Sequence, residues 1–246
     1  MKAALLRAAF PGAALLGVAF LSAVLAAQEP TVTPRPRTPR PNMQAMNEAL
    51  GVRCNYCHVP SPRDKDELDY KSDANPRKRV ARLMVAMTAD INASIPAAVL
   101  KASGEATQVT CATCHRGVPD PRPLPDILAR AVEEQGIDQA LTHYRDLRAQ
   151  YYGKDAYDFS EQTLQNVARR FVERAPEVAL ALMRTNLEFY PSSAESYVLM
   201  AVAETRRFDD AAAIRFLEKA LTLNPTHGLA QGYLSQLKQY RKPRRP

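Results

Sequence analysis

Cys54-Asn55-Tyr56-Cys57-His58 and Cys111-Ala112-Thr113-Cys114-His115 decide how this chain is read, and they contain all four of its cysteines. C-x-x-C-H is the attachment signature of c-type haem. Two thiols three positions apart can both add to the vinyl groups along one haem edge, and the adjacent imidazole then falls under the ring to bind iron. Two C-x-x-C pairs could instead bind structural zinc or form disulfides in an oxidising compartment. Either reading leaves His58 and His115 unexplained. A thioredoxin-like redox site needs a βαβ context, and strand alternation is essentially absent from the chain. The motifs therefore predict two haem c groups, attached through Cys54, Cys57, Cys111 and Cys114, with His58 and His115 as proximal iron ligands.

The flanking sequence is helical. Asn42 reads as an N-cap and Gly51 as a stop, with Met43, Met46 and Leu50 on one face between them. Residues 59–76 are polar and carry Pro60, Pro62 and Pro76, so they read as a loop. A second helix is expected from Pro76 to about Ser94. Val80, Leu83, Met84, Met87 and Ile91 share one of its faces, and Arg77, Lys78, Arg79 and Arg82 lie mostly on the other. Residues 95–109 suggest a short helix and a loop. Four prolines between 119 and 125 mark a boundary near residue 122.

Beyond that boundary, helices are expected near 126–135, 138–151, 160–173, 177–189, 193–206, 209–223 and 227–240. Pro191 and Pro225 each close a helix, 34 residues apart. Ala201, Ala213, Ala220 and Pro225 fall where a tetratricopeptide repeat puts its small packing residues and terminal proline. In the preceding unit Ala179 and Pro191 fit, while Asn186 stands in place of a small residue. Such repeats need about three units for stability, so the upstream helices must complete the stack. The expected fold is all-α, a compact dihaem module followed by helix-pair repeats.

The first 27 residues have the form of an export signal: Lys2 and Arg7, an apolar run from Ala13 to Ala26, and small residues at the end. That run is short for a membrane span, which needs about 20 residues. Left uncleaved, it would act as an N-terminal anchor. Residues 28–41 form a Pro-rich linker, extended and unable to build a core. The expected organisation is a signal at 1–27, the linker at 28–41, a dihaem domain at 42–122 and a helical domain at 123–246. The expected location is the periplasm.

The formal net charge is +7. Residues 28–122 hold 14 basic and 10 acidic side chains, and residues 123–246 hold 17 and 16. The propionates of two haems would cancel the excess in the first segment, so nucleic acid is not expected as a partner. The basic tail of Lys238, Arg241, Lys242, Arg244 and Arg245 reads as a solvated end, with an acidic partner or lipid surface as the alternative.

Each iron needs a sixth ligand. The two remaining histidines, His143 and His227, lie in the C-terminal region. Met43 and Met46 precede the first motif, and Met84 and Met87 precede the second. Each pair sits at i, i+3 on an amphipathic helix, where core packing and iron ligation are competing roles.

Residues 42–118 resemble one half of the tetrahaem cytochrome subunit of purple bacterial photosynthetic reaction centres. The resemblance is carried by Met43 through Leu50-Gly51-Val52-Arg53-Cys54, by Ala81-Arg82-Leu83-Met84-Val85-Ala86-Met87-Thr88-Ala89-Asp90-Ile91-Asn92, and by Val109-Thr110-Cys111 through His115-Arg116-Gly117. It implies Met43 as distal ligand of the first haem and Met84 of the second, with Met46 and Met87 as substitutes. There are two motifs rather than four, Ser103 stands where that subunit has a haem-crossing histidine, and the 59–76 loop is longer. The C-terminal helices are no part of that subunit. The resemblance thus implies haem ligation and fold, not a photosynthetic role.

Two His/Met-ligated irons leave no open coordination position, so the expected function is electron transfer between redox proteins, a membrane electron-transfer complex among the candidates. The C-terminal helices are expected to dock a partner, with a purely covering role as the alternative. A haem enzyme, a peroxidase or small-molecule reductase, is the competing reading. It needs one open iron, and Asp90 and Arg82 are the nearest acid-base candidates. Tyr151, Tyr152, Tyr157, Tyr190 and Tyr197 are expected mostly in the core.

Overall fold

A computed structural model describes residues 42–95 and 108–240. The signal, the linker, Ser103, most of the 95–109 segment and the basic tail beyond Tyr240 lie outside the described residues. Among the described residues there are ten helices and one pair of two-residue strands. No helix among them is long and apolar enough to cross a membrane.

Helix α1 (Met43–Leu50) begins at Asn42, whose side chain accepts from the backbone N–H groups of Gln44 and Ala45. It ends at Gly51, held at φ 65°. That left-handed conformation is cheap only for glycine. A 3₁₀ turn at Cys54–Tyr56 follows. The loop expected at 59–76 contains one small ladder, β1 (Val59–Pro60) antiparallel to β2 (Leu68–Asp69). Two-residue strands are too short for alternation to reveal. Helix α2 (Pro76–Ser94) starts with Asn75 as cap and Pro76 in the first turn, the arrangement in which proline's missing N–H costs nothing. Helix α3 (Cys111–His115) is the second motif itself.

Seven helices follow: α4 (Leu124–Gln135), α5 (Ile137–Tyr151), α6 (Glu161–Phe171), α7 (Pro176–Phe189), α8 (Ala194–Arg206), α9 (Asp210–Leu223) and α10 (Gly228–Tyr240). Every boundary lies within two residues of the periodicity reading. Consecutive helices pack on one another within the pairs α4–α5, α6–α7, α8–α9 and α9–α10. The core is here. Leu124, Leu128, Tyr144, Leu164, Leu182 and Met183 are almost wholly excluded from solvent. A smaller cluster built on Val198, Ala213, Leu217 and Ala220 joins α8, α9 and α10.

Asn186, the departure from small-residue packing, is fully buried. It fits because its amide donates to the Glu161 carbonyl at 3.2 Å and to Ser196 Oγ at 2.8 Å. A buried amide without those partners would cost a few kcal/mol. Of the five tyrosines, Tyr152 is exposed and the other four are half-buried. Tyr152 stacks beneath the Arg148 guanidinium, 4.1 Å from it, with Phe189 at 4.2 Å. Arg148 also donates to the Phe159 carbonyl at 3.1 Å. His227 is used structurally: its ring meets Glu195 at 3.1 Å, and its Nδ1 accepts from the N–H of Ala230 at the start of α10.

Candidate haem sites

The first motif is shaped by short-range hydrogen bonds. The Cys57 and His58 N–H groups both donate to the Cys54 carbonyl, at 3.3 and 3.0 Å. Asn47 on α1 donates to Cys54 Sγ at 3.5 Å. Asn75 caps α2 with its oxygen and donates from its amide to the Tyr56 carbonyl at 3.0 Å, so one residue fixes the motif to the helix. Arg77 stacks over the Tyr56 ring at 4.4 Å. Burial pushes the Cys57 thiol above its usual range, with Arg77 acting in the opposite sense.

The second motif is held by the other end of the same helix. Asn92 grips the residue two before Cys111, donating to the Val109 carbonyl at 2.8 Å and accepting from its N–H at 2.7 Å. The Thr110 N–H donates to Thr113 Oγ1 at 2.9 Å. The chain leaves α3 through Arg116 and Gly117, both at positive φ. The Gly117 N–H then donates to the Ala49 carbonyl of α1 at 2.8 Å. A Cβ on Gly51 would sit 2.1 Å from the Gly117 oxygen. Glycine at 51 therefore allows α1 and the second motif to touch backbone to backbone.

A cleft of about 830 Å³ opens beside the first motif. That is within the usual range for small-molecule and cofactor sites, about 300–1,000 Å³. Cys54, Cys57 and His58 line it together with Met43 and Met46 from α1, and α2 contributes Ala81, Val85 and Ala86. Lys71, Lys78 and Arg82 bring positive charge to the same wall. Lys78 is largely covered, donating to the Tyr70 and Ser72 carbonyls at 2.8 and 2.7 Å. Arg82 makes a two-pronged contact with Asp73 at 2.9 and 2.6 Å. These contacts hold the Asp73 carboxyl down at about 2.

Met84 and Met87 are not in that cleft. At 100° per residue, the cleft-facing positions 78, 81, 82 and 85 and the positions 80, 83, 84, 87 and 91 lie on opposite sides of α2. On the far side Val80, Leu83, Met84, Met87 and Ile91 are 37–60% exposed. Five large apolar side chains left in solvent along one stripe mark a face built to be covered.

These features fit haem. Apolar walls, a cationic rim suited to propionates and paired thiols followed by histidine form one site, and a bare apolar stripe lies behind the second pair of methionines. The four cysteines are all free thiols. Among the described residues no three His, Cys, Asp or Glu side chains gather as a metal-binding group, so the two C-x-x-C pairs do not converge into a zinc site. The histidines differ in one respect. His115 Nδ1 lies 2.9 Å from the Val118 carbonyl. A carbonyl can only accept, so Nδ1 carries the proton and Nε2 is free for iron. His58 Nδ1 is buried and has no hydrogen-bond partner among the described residues.

The sequence offered the cysteines, histidines and methionines as candidates but not Asn47, Asn75, Asn92, Lys71 or the cleft-facing position of Lys78. Asn75 before Pro76 was a readable cap. The long-range partners of the other asparagines left no local signal.

Comparison with known proteins agrees with this picture. Cytochrome c-554 of Chloroflexus aurantiacus (strain ATCC 29366 / DSM 635 / J-10-fl) is 35% identical over 77 residues, which are 31% of this chain and 16% of that protein. The chain thus matches only a small part of that relative's length. Residues 40–142 match the family described as "Photosynthetic reaction centre cytochrome C subunit", a span that runs through α4 into α5. Over that span the chain resembles the reaction-centre cytochrome c family, a likeness that implies covalently bound haem.

Proposed function

We propose that this chain is an exported two-haem cytochrome that passes electrons between redox proteins. Cys54 and Cys57 would attach the first haem, with His58 and Met43 holding its iron. Cys111 and Cys114 would attach the second, with His115 and Met84 in those roles. Met46 and Met87 are the neighbouring substitutes on the same helices. Each haem, when bound, supplies a one-electron couple. The residues around it fix the ligands, exclude water from the ring faces and compensate the propionates.

The observation that carries this reading is the two-sided α2. One face closes the cleft that holds Cys54, Cys57 and His58, while the opposite face presents an uncovered apolar stripe with Met84 and Met87. One haem explains the first face and leaves the second without purpose. His/Met ligation at both irons favours electron transfer over catalysis, because no position is left for a substrate. The periplasm is the proposed location and a membrane electron-transfer complex the proposed kind of partner. Residues 42–122 act as the haem domain and residues 123–246 as a tetratricopeptide-like docking region.

The test is the pyridine haemochrome content and the visible spectrum of the exported protein. Two haems per chain and a methionine–iron band in the oxidised spectrum are expected. That band should fall by half in Met43→Ala and in Met84→Ala. One haem per chain, or unchanged spectra in both variants, refutes the assignment. Rapid carbon monoxide binding by the reduced protein would instead favour the haem-enzyme reading. Removing residues 123–246 should leave both haems attached and abolish capture of the redox partner.

A further inference from the structure

We propose that the two proximal histidines give the haem sites unequal potentials, lower at His115 and higher at His58. This rests on the two-haem reading above. A proximal imidazole that donates from Nδ1 becomes a more basic ligand and stabilises the oxidised iron. His115 makes that bond to the Val118 carbonyl at 2.9 Å. His58 Nδ1 is buried with no acceptor among the described residues, and the Tyr70 ring packs edge-to-face with the imidazole at a centroid separation of 5.0 Å. A ligand denied its acceptor is less basic, and reduction is correspondingly easier.

The consequence is a direction. An electron held on the His115 side is given up there and taken up on the His58 side. One site is oxidised and the other reduced by a single electron, with no bond made or broken and no proton moved.

The test is a potentiometric titration of the intact holoprotein, followed by absorbance and by proton NMR. Two one-electron steps are expected, at least tenfold apart in equilibrium constant, which is about 59 mV for one electron. Tyr70 resonances should reach their reduced positions in the upper step and Val118 resonances in the lower. In the fully reduced protein two ring N–H signals are expected, the more downfield one showing a nuclear Overhauser effect to Val118. Tyr70→Gln, which brings a carbonyl toward His58 Nδ1, should lower the upper step and leave the lower one in place. Two haems with coincident potentials, or the reverse order of Tyr70 and Val118, overturn this proposal and leave the two-haem reading intact. An upper step that does not respond to Tyr70→Gln overturns the hydrogen-bond origin. A haemochrome count of one haem per chain overturns both.

Discussion

Gly51→Ala should be far more damaging than its size suggests. Gly51 sits at φ 65°, where a residue with a Cβ pays about 1–2 kcal/mol. The added carbon would lie 2.1 Å from the Gly117 oxygen and 3.0 Å from its carbonyl carbon, so the backbone after the second motif has to retreat. Retreat weakens the 2.8 Å bond from the Gly117 N–H to the Ala49 carbonyl, worth about 1 kcal/mol. Repacking around an inserted methyl adds about 1–3 kcal/mol. The total is about 4 kcal/mol. Gly117→Ala is the control within the same contact. Its φ is 89°, but a Cβ there meets nothing within 4 Å, so only the conformational cost of about 1–2 kcal/mol applies. Urea unfolding of the holoproteins, followed by far-ultraviolet circular dichroism and by Soret absorbance, separates the two. With a slope of about 2 kcal/mol per molar urea, the midpoint should fall by about 2 M for Gly51→Ala and by less than about 1 M for Gly117→Ala. Coincident curves from the two probes are needed for this conversion. Equal midpoints for the two variants would refute the close backbone approach.

Asn92→Ala strips Val109 of both its partners and should cost about 2 kcal/mol in the same assay, with Asn92→Asp recovering only the half that accepts. Arg148→Met keeps the aliphatic stem but loses the stacking on Tyr152 and Phe189 and the bond to Phe159; a loss of about 2 kcal/mol is expected, read as a lower thermal midpoint. The Asp73 carboxyl, depressed from 3.8 to about 2 by Arg82 and Lys78, stabilises the fold above its unfolded value and ceases to do so as pH falls toward about 2. Acid titration of wild type against Asp73→Asn should show that pH dependence only in wild type, and a carboxyl resonance titrating near its ordinary value would contradict it. Burial raises the Tyr144 and Tyr157 hydroxyls. Their contribution is complete below the unfolded value of about 10 and is lost as pH rises through the raised one, so alkaline unfolding should be postponed in Tyr144→Phe.

The helices were legible because their signals are local. Asn42 and Gly51 cap α1 as their types require, and α4 to α10 follow periodicity closely, even though α8 buries more than one stripe, with Leu199 and Met200 in the larger core cluster and Val198 and Ala201 in the smaller. The site was legible only in its covalent part. Cys and His stand out by type and spacing, whereas Met43 and Met84 were singled out only by the resemblance. Asn92 and Gly51 do not stand out, since their partners lie 17 and 66 residues away. The apolar and basic sides of α2 were both visible in the sequence. That the basic side also faces a cleft was not, because Ala81, Val85 and Ala86 are too small to register as an apolar stripe between Lys78 and Arg82. The 59–69 ladder escaped because a two-residue strand has no period.

Helix α2 is gripped at one end by Asn75 and at the other by Asn92, and its opposite sides differ, one lining the cleft of the first motif and the other carrying the exposed apolar stripe. It cannot be retuned on one side alone. A residue inserted near its middle would turn everything beyond it by about 100°, swinging Met84 and Met87 off their stripe while Asn92 lost Val109. A deletion would do the same in the opposite sense. Length variation that the 59–76 loop can absorb is therefore closed to this helix, and changes there should come as paired substitutions on both faces or not at all.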